Sequence, residues 1–145
     1  MNSTLTNTQE SHRNDLQHFI GKNQMSAITE AMKGEERDFF TDKILDIYDL
    51  IKNMPKTYEQ DGILDPLVSL HYLLGDMDFY ITEKDIDSDG EGQIQAFGYS
   101  DIGYGPEIGY ISIKEIIENG VELDLYFTPC KVSGIPKLAE LSNKV

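Results

Sequence analysis

The chain has 145 residues, a length that favours a single domain. It carries 26 Asp and Glu residues against 12 Lys and Arg, and the formal net charge of −14 excludes the basic surface by which proteins usually bind phosphates. Its single cysteine, Cys130, excludes an intramolecular disulfide. No apolar run reaches the ~18 residues of a membrane span. Residues 1–10 also lack the basic and apolar regions of a secretory signal, so we expect a cytoplasmic protein.

Composition and periodicity divide the chain into a short leading segment and one domain. Residues 1–22 begin with a polar stretch and are expected to be flexible or partly helical. Residues 23–145 are expected to form a single domain. Within it, residues 23–54 supply the helical part and residues 63–130 supply the sheet part.

Two helices are predicted before the sheet. The first begins with Asn23 as its N-cap, continues to about Lys33, and ends at Gly34. The second covers residues 35–53 and is stopped by Pro55. The apolar residues of this second helix are separated by 4, 3, 4 and 3 positions and form one stripe, Phe40, Ile44, Ile47, Ile51 and Met54.

After a polar segment at residues 55–62, the apolar period changes from about 3.6 to 2, which predicts strands. Gly75 and Asp76 are typical of a two-residue hairpin turn between the first two of them. The most regular alternation lies at the end of the sheet part. The expected strands cover residues 68–74, 77–81, 93–99, 108–111 and 121–127.

Two short helices complete the predicted elements. Ser112 and Glu115 form the S-x-x-E pattern of a capping box, which opens a helix that ends at Gly120. A last helix is expected near residues 136–141. The predicted fold class is therefore α+β, with N-terminal helices packed on a mostly antiparallel sheet of four or five strands and one short connecting helix.

Negative charge is concentrated in the C-terminal part of the chain. Residues 61–145 hold 16 acids and 5 bases, a net charge of −11, whereas residues 1–60 have a net charge of −3. Such asymmetry indicates a specialised surface or a partner, although a solvated face that only keeps the protein soluble explains it as well. The predicted partner-binding residues are Asp76, Asp78, Glu83, Asp85, Asp87, Asp89, Glu91, Asp101 and Glu107.

Residues 85–91, with the sequence D-I-D-S-D-G-E, begin like the calcium loop of an EF-hand. Position 12 of that loop requires a bidentate Glu, and this chain has Ala96 there, with predicted strands on both sides. We therefore expect a turn with no bound metal or cofactor, and a metal- or nucleotide-binding loop stays an alternative. The glycines of residues 103–109 lead into a strand, so they predict a turn instead of a phosphate-binding loop.

No catalytic group of residues is recognisable in the sequence. His12, His18 and His71 have no Cys, and no His at helical spacing, beside them, so each is expected to be an isolated histidine. Cys130 has no adjacent base or helix N-terminus that would activate a thiolate. We therefore predict that the protein is not an enzyme.

Four short motifs follow one another in the sheet part. They are Tyr80 ahead of the pair Thr82-Glu83, then Ala96-Phe97-Gly98, Pro106-Glu107-Ile108-Gly109-Tyr110 and Glu122-Leu123-Asp124-Leu125-Tyr126-Phe127-Thr128-Pro129. This succession resembles a family of small domains of unknown function that bacterial phages, plasmids and integrative elements carry. The resemblance covers about residues 54–130, and this chain has Tyr80 where the family often has Trp. It implies an accessory protein of a mobile genetic element and assigns no catalytic residue.

Three functions remain open on these grounds. The first is a non-enzymatic protein that binds a basic surface of a nucleic-acid-handling protein, as a DNA mimic against restriction or CRISPR defence. Alternate strand residues lie about 6.6–6.8 Å apart, so their carboxylates can imitate a row of phosphates. The second is a metal- or nucleotide-binding domain, and the third is a structural accessory whose acidity serves only solubility. No direct contact with nucleic acid or membrane is expected.

Overall fold

The computed structural model describes residues 16–86 and 92–142. Two helices precede the sheet, α1 at Lys22–Ala31 and α2 at Arg37–Asn53, and both predicted N-terminal helices are thereby confirmed. The predicted N-cap of the first helix is wrong in position. The cap is Gly21, which has no side chain to make a capping bond, and the helix has already begun at residue 22.

The apolar stripe of α2 is buried as its spacing predicts. Ile44, Ile47 and Ile51 all face the protein interior. The helix ends at Asn53, and the next residue, Met54, has an extended backbone because the residue before a proline avoids the helical conformation and Pro55 follows.

In the part of the chain that the structure describes, seven strands form two antiparallel sheets. The larger sheet has the order β5-β4-β3-β2-β6, and β1 pairs with β7 in a separate two-stranded sheet. Within the described residues, the α+β prediction is thus confirmed, with five strands in the main sheet. The strands are β1 (Leu67–Val68), β2 (Leu70–Leu74), β3 (Met77–Glu83), β4 (Ala96–Asp101), β5 (Glu107–Ile111), β6 (Glu122–Leu123) and β7 (Cys130–Lys131).

Two further helices lie in the C-terminal part, α3 at Ile113–Glu118 and α4 at Ala139–Ser142. The predicted cap of α3 is confirmed, since the Ser112 hydroxyl accepts a hydrogen bond from the N–H of Glu115 at 3.1 Å. The last predicted helix begins later than expected. The N–H of Leu138 bonds to the carbonyl of Ile135 at 2.8 Å, a three-residue step that is typical of a tight turn.

The main sheet is covered on both faces. On one face, apolar side chains of α1, α2 and α3 pack against alternate strand residues such as Tyr72 and Ile81. This first core reaches back to Leu16, so the packed part of the chain begins before residue 23. On the other face, Tyr80 and Tyr99 pack against Leu138 and the rest of the C-terminal segment, forming a second core.

The strand predicted over residues 121–127 is wrong beyond Leu123. Asp124 turns the chain there, because its Oδ1 accepts the N–H of Tyr126 at 3.0 Å. The strand predicted over residues 93–99 also begins late, at Ala96. The Oδ2 of Asp85 accepts the backbone N–H groups of the two preceding residues, which takes them out of the ladder.

Candidate functional site

The nine acidic residues predicted to bind a partner are placed in different surroundings. Two are exposed, Asp76 and Glu107. Four are buried or half-buried, Asp78, Glu83, Asp85 and Asp101. Three lie outside the described residues, Asp87, Asp89 and Glu91. The described members do not form one exposed acidic face, and their contact with a partner stays a prediction.

Lys137 pairs with two of these carboxylates. Asp78 on β3 and Asp101 on β4 lie directly opposite each other in the sheet register. The Nζ of Lys137 is 2.6 Å from Oδ2 of Asp78 and 3.1 Å from Oδ2 of Asp101. Like charges directly across a strand pair repel each other, so the cation between them stabilises this part of the sheet. Both carboxylates are therefore engaged with a cation of the protein itself.

His71 extends this charged cluster, and the prediction of an isolated histidine is wrong for it. Its Nε2 is 2.8 Å from Oδ1 of Asp78, and its Nδ1 is 3.0 Å from Oδ2 of Asp124. Ionised carboxylates only accept hydrogen bonds, so both bonds form together when each ring nitrogen carries a proton. The ring also stacks on Tyr80 with 4.6 Å between centroids. The imidazole thus joins β2, β3 and the turn after β6.

The contacts of the cluster change the pKa values of Asp78, Asp101 and Lys137. Burial acts to raise the pKa of Asp78, but hydrogen bonds from Lys137 and His71 outweigh it and hold this pKa below its ordinary value of 3.8. The N–H of Gly103, and then the ammonium group of Lys137, lower the pKa of Asp101. The bonds to Asp78 and Asp101 raise the pKa of Lys137. All three groups are therefore charged at neutral pH.

Glu83 is a buried carboxylate at the end of β3, with 4 % of the residue exposed. Its Oε1 accepts the N–H of Tyr58 at 2.7 Å. Tyr58 has a φ of 79°, a left-handed conformation that residues with a side chain rarely adopt. Burial raises the pKa of Glu83 above its ordinary 4.5, the Tyr58 N–H opposes that rise, and the negative charge of Asp61 adds to it. Glu83 therefore holds the chain after α2 against the sheet.

Asp85 anchors the start of the acidic loop. Its Oδ2 accepts the N–H groups of Ile94 at 3.2 Å and Gln95 at 3.0 Å, and its own N–H donates to the side chain of Gln93 at 2.7 Å. In the part of the chain that the structure describes, no group of three or more metal-ligating side chains occurs. Because most of the predicted calcium loop lies in residues 87–91, outside that part, the calcium alternative is not tested.

A row of exposed acids that the sequence analysis missed lies along α2. Its members are Asp38, Asp42, Asp46 and Asp49. Separations of 4, 4 and 3 residues place them on one side of the helix, opposite the buried isoleucines. No ion pair within residues 16–86 and 92–142 involves any of the four. Their spacing is visible in the sequence, but it lies in the half of the chain whose net charge is only −3.

An aromatic pair stands beside this aspartate row. The rings of Phe39 and Tyr126 stack with 6.2 Å between centroids, although these residues are 47 % and 69 % exposed. The Nζ of Lys43 lies 5.6 Å from the first ring centroid and 5.4 Å from the second. Lys43 thus contacts ring faces, a favourable cation–π arrangement, instead of pairing with an aspartate.

The other sequence candidates lie apart from these features. His18 is half-buried at the end of a 3-10 turn, and His12 is outside the described residues. Cys130 is half-buried and packs against the second core. The chain turns at residues 103–106, as predicted, where Gly103 and Gly105 have φ values of 114° and 96°, and residues 107–109 already belong to β5.

Comparison of the chain with protein-family models, with curated proteins and with solved structures finds no match. The resemblance to domains of mobile genetic elements therefore stays a prediction. In the described ranges, no helix is both long enough and apolar enough to cross a lipid bilayer. The surfaces themselves are consequently the basis for a functional proposal.

Proposed function

We propose that this protein is a non-enzymatic accessory factor of a mobile genetic element, which acts in the cytoplasm by binding a basic surface of a nucleic-acid-handling protein. The observation that carries the proposal is the uncompensated aspartate row on α2, formed by Asp38, Asp42, Asp46 and Asp49. The row would occupy a site that otherwise receives DNA, and in this way it would counter host restriction or CRISPR defence.

The geometry of α2 suits imitation of a phosphate row. A helix rises 1.5 Å per residue, so the four carboxylates span about 16 Å along the axis. One strand of DNA, with a rise of 3.4 Å per phosphate, carries about five charges over the same length. The charge density of the row is thus close to that of one DNA strand. The acids predicted from the sequence support such a role less well, because Lys137 compensates Asp78 and Asp101.

The aromatic pair next to the row supports protein binding. Phe39 and Tyr126 present a stacked apolar surface that is accessible to solvent. Aromatic residues are enriched at the centres of protein interfaces, where they contribute much of the binding free energy. Exposed carboxylates would accelerate association with a basic partner, and this effect decreases with salt because charges are screened beyond about 10 Å at 0.1 M.

The test compares two variants with the same net charge. The first changes the row by Asp38→Asn, Asp42→Asn, Asp46→Asn and Asp49→Asn. The control removes four exposed acids that are in neither the row nor the predicted partner-binding set, by Glu115→Gln, Glu118→Gln, Glu122→Gln and Glu140→Gln. Each protein is immobilised and exposed to a bacterial lysate over a salt series, and captured proteins are identified and tested for binding to duplex DNA.

We expect the wild type and the control to capture DNA-binding proteins at low salt and to release them in competition with duplex DNA. The row variant should capture none of them, although its thermal unfolding should match that of the control. Equal capture by both variants would contradict the proposal. Absence of any DNA-competed partner for the wild type would favour acidity that serves solubility alone.

A further inference from the structure

The outer edge of β5 is open within the described residues. β5 is the last strand of the main sheet and pairs only with β4 there. The pairing of β5 with β4 continues without a bulge from Glu107 to Ile111. An edge strand presents alternate N–H and C=O groups that have no strand partner, and proteins commonly protect such edges with lysines, prolines or bulges. Between its ends, β5 has none of these.

An apolar groove of about 660 Å³ lies beside this edge. Ile108 of β5 lines it, together with Phe97 of β4 and the exposed side chains of Ile63 and Leu64. Ile108 and Tyr110 project from the same sheet face, since alternate residues of a strand share a face. The ring of Tyr110 packs edge-on against Phe97 at 5.6 Å between centroids. The groove is thus a preformed surface next to an open strand.

The charged residues of the groove are acidic. Asp61, Glu83 and Glu107 line it, and its lining includes no Lys or Arg in the part of the chain that the structure describes. Glu83 is its most buried acid, and the Oε1 of Glu83 accepts the N–H of Tyr58. The lining of the groove therefore carries negative charge and opposes an acidic partner segment.

We propose that β5 accepts an extended segment of a partner protein as an additional strand. The segment carries apolar side chains that enter the groove, alternating with Lys or Arg on the opposite side of the added strand, the side to which Glu107 projects because it alternates with Ile108 along β5. Backbone hydrogen bonds to the edge supply affinity in such strand addition, and pockets for alternate side chains supply specificity. A second copy of this chain is the less suitable occupant, because its net charge of −14 opposes close approach.

The experiment uses a synthetic peptide of about seven residues in which Val alternates with Lys, a length typical of a strand. Binding is measured by fluorescence anisotropy on the full chain, and backbone hydrogen exchange is followed by NMR. Two further peptides serve as controls, one with Glu in place of Lys and one with N-methylated backbone amides. The protein variants are Ile108→Lys in the groove and Ile102→Lys outside it, positions that are both 59 % exposed.

We expect the Val–Lys peptide to bind the wild type and Ile102→Lys, and to slow hydrogen exchange in β5. Ile108→Lys should weaken binding about tenfold or more, the scale expected when one aliphatic contact is lost. Both control peptides should fail to bind.

The proposal is overturned if the Val–Lys peptide does not bind, if it binds without protecting β5, or if N-methylation has no effect. A concentration-dependent dimer that Ile108→Lys abolishes would assign the edge to self-association instead. Binding here does not require the aspartate row, so the α2 variant should retain it.

Discussion

Gly98 occupies a position in β4 that has no room for a side chain, and its partner across the sheet provides a matched control. A Cβ added to Gly98 would overlap the carbonyl oxygen of Tyr80 and lie 3.1 Å from Cα of Ile81. These are backbone atoms of β3, so they cannot move aside as a flexible side chain would. Gly109 faces Gly98 in the register of β4 and β5, and a Cβ there meets nothing within 4 Å.

We expect Gly98→Ala to lower the free energy of unfolding by about 3 kcal/mol or more, the upper end of overpacking, because β3 and β4 must separate locally. Gly109→Ala should raise it by about 0.5 kcal/mol, since alanine restricts the unfolded chain more than glycine does. For a chain of this length, the first change corresponds to a decrease in Tm of roughly 10 °C.

Urea unfolding followed by circular dichroism measures both variants against the wild type, with thermal unfolding as a second readout. The m-values should stay equal, so that the midpoints report stability alone. If Gly98→Ala unfolds within about 0.5 kcal/mol of Gly109→Ala, a difference typical of neutral surface changes, the close approach of β3 to β4 is refuted.

Two further predictions concern the polar contacts of the fold. Lys137→Met leaves Asp78 facing Asp101 without the ammonium group between them. Both folded pKa values lie below the ordinary 3.8, so the stabilisation that Lys137 contributes in the wild type is fully present above that pH and is lost as the pH falls through the folded values. The urea midpoints of wild type and variant should therefore differ at neutral pH and converge in acid, and equal midpoints at neutral pH would contradict the cluster. Tyr72→Phe removes the hydroxyl that donates to the carbonyl of Phe19 at 2.6 Å in the first core, and it should cost about 1–2 kcal/mol because a buried acceptor loses its partner. An unchanged urea midpoint in this variant would show that the bond does not stabilise the N-terminal segment.

Local elements were predictable where local physics decides them. The stripe of α2, the stop before Pro55 and the hairpin turn at Gly75 and Asp76 all agree with the structure. In each case the residues that determine the conformation lie within a few positions of it. Helical spacing, the restriction that proline places on its neighbour and the backbone freedom of glycine do not depend on distant contacts.

Alternation beyond β6 shows where this reasoning fails. Leu125 packs against the first core and Phe127 against the second, so the apolar period of the segment is real. It reflects burial on two sides of a turn instead of a strand, because Asp124 bonds to both Tyr126 and His71. Periodicity reports which side chains are buried, and it does not report whether a neighbouring strand is present to pair with the backbone.

The features of the candidate surfaces likewise divide into those that follow from local sequence and those that depend on distant contacts. The sequence by itself determined the α+β class, the net charge of −14 and the aspartate spacing on α2, since these follow from composition and helical period. Only the tertiary structure decided which acidic side chains are engaged in contacts within the protein. Lys137 is 59 positions from Asp78, and Tyr58 is 25 positions from Glu83, so neither contact has a local signal. The edge of β5 likewise depends on strand order, which arises from packing of the whole sheet.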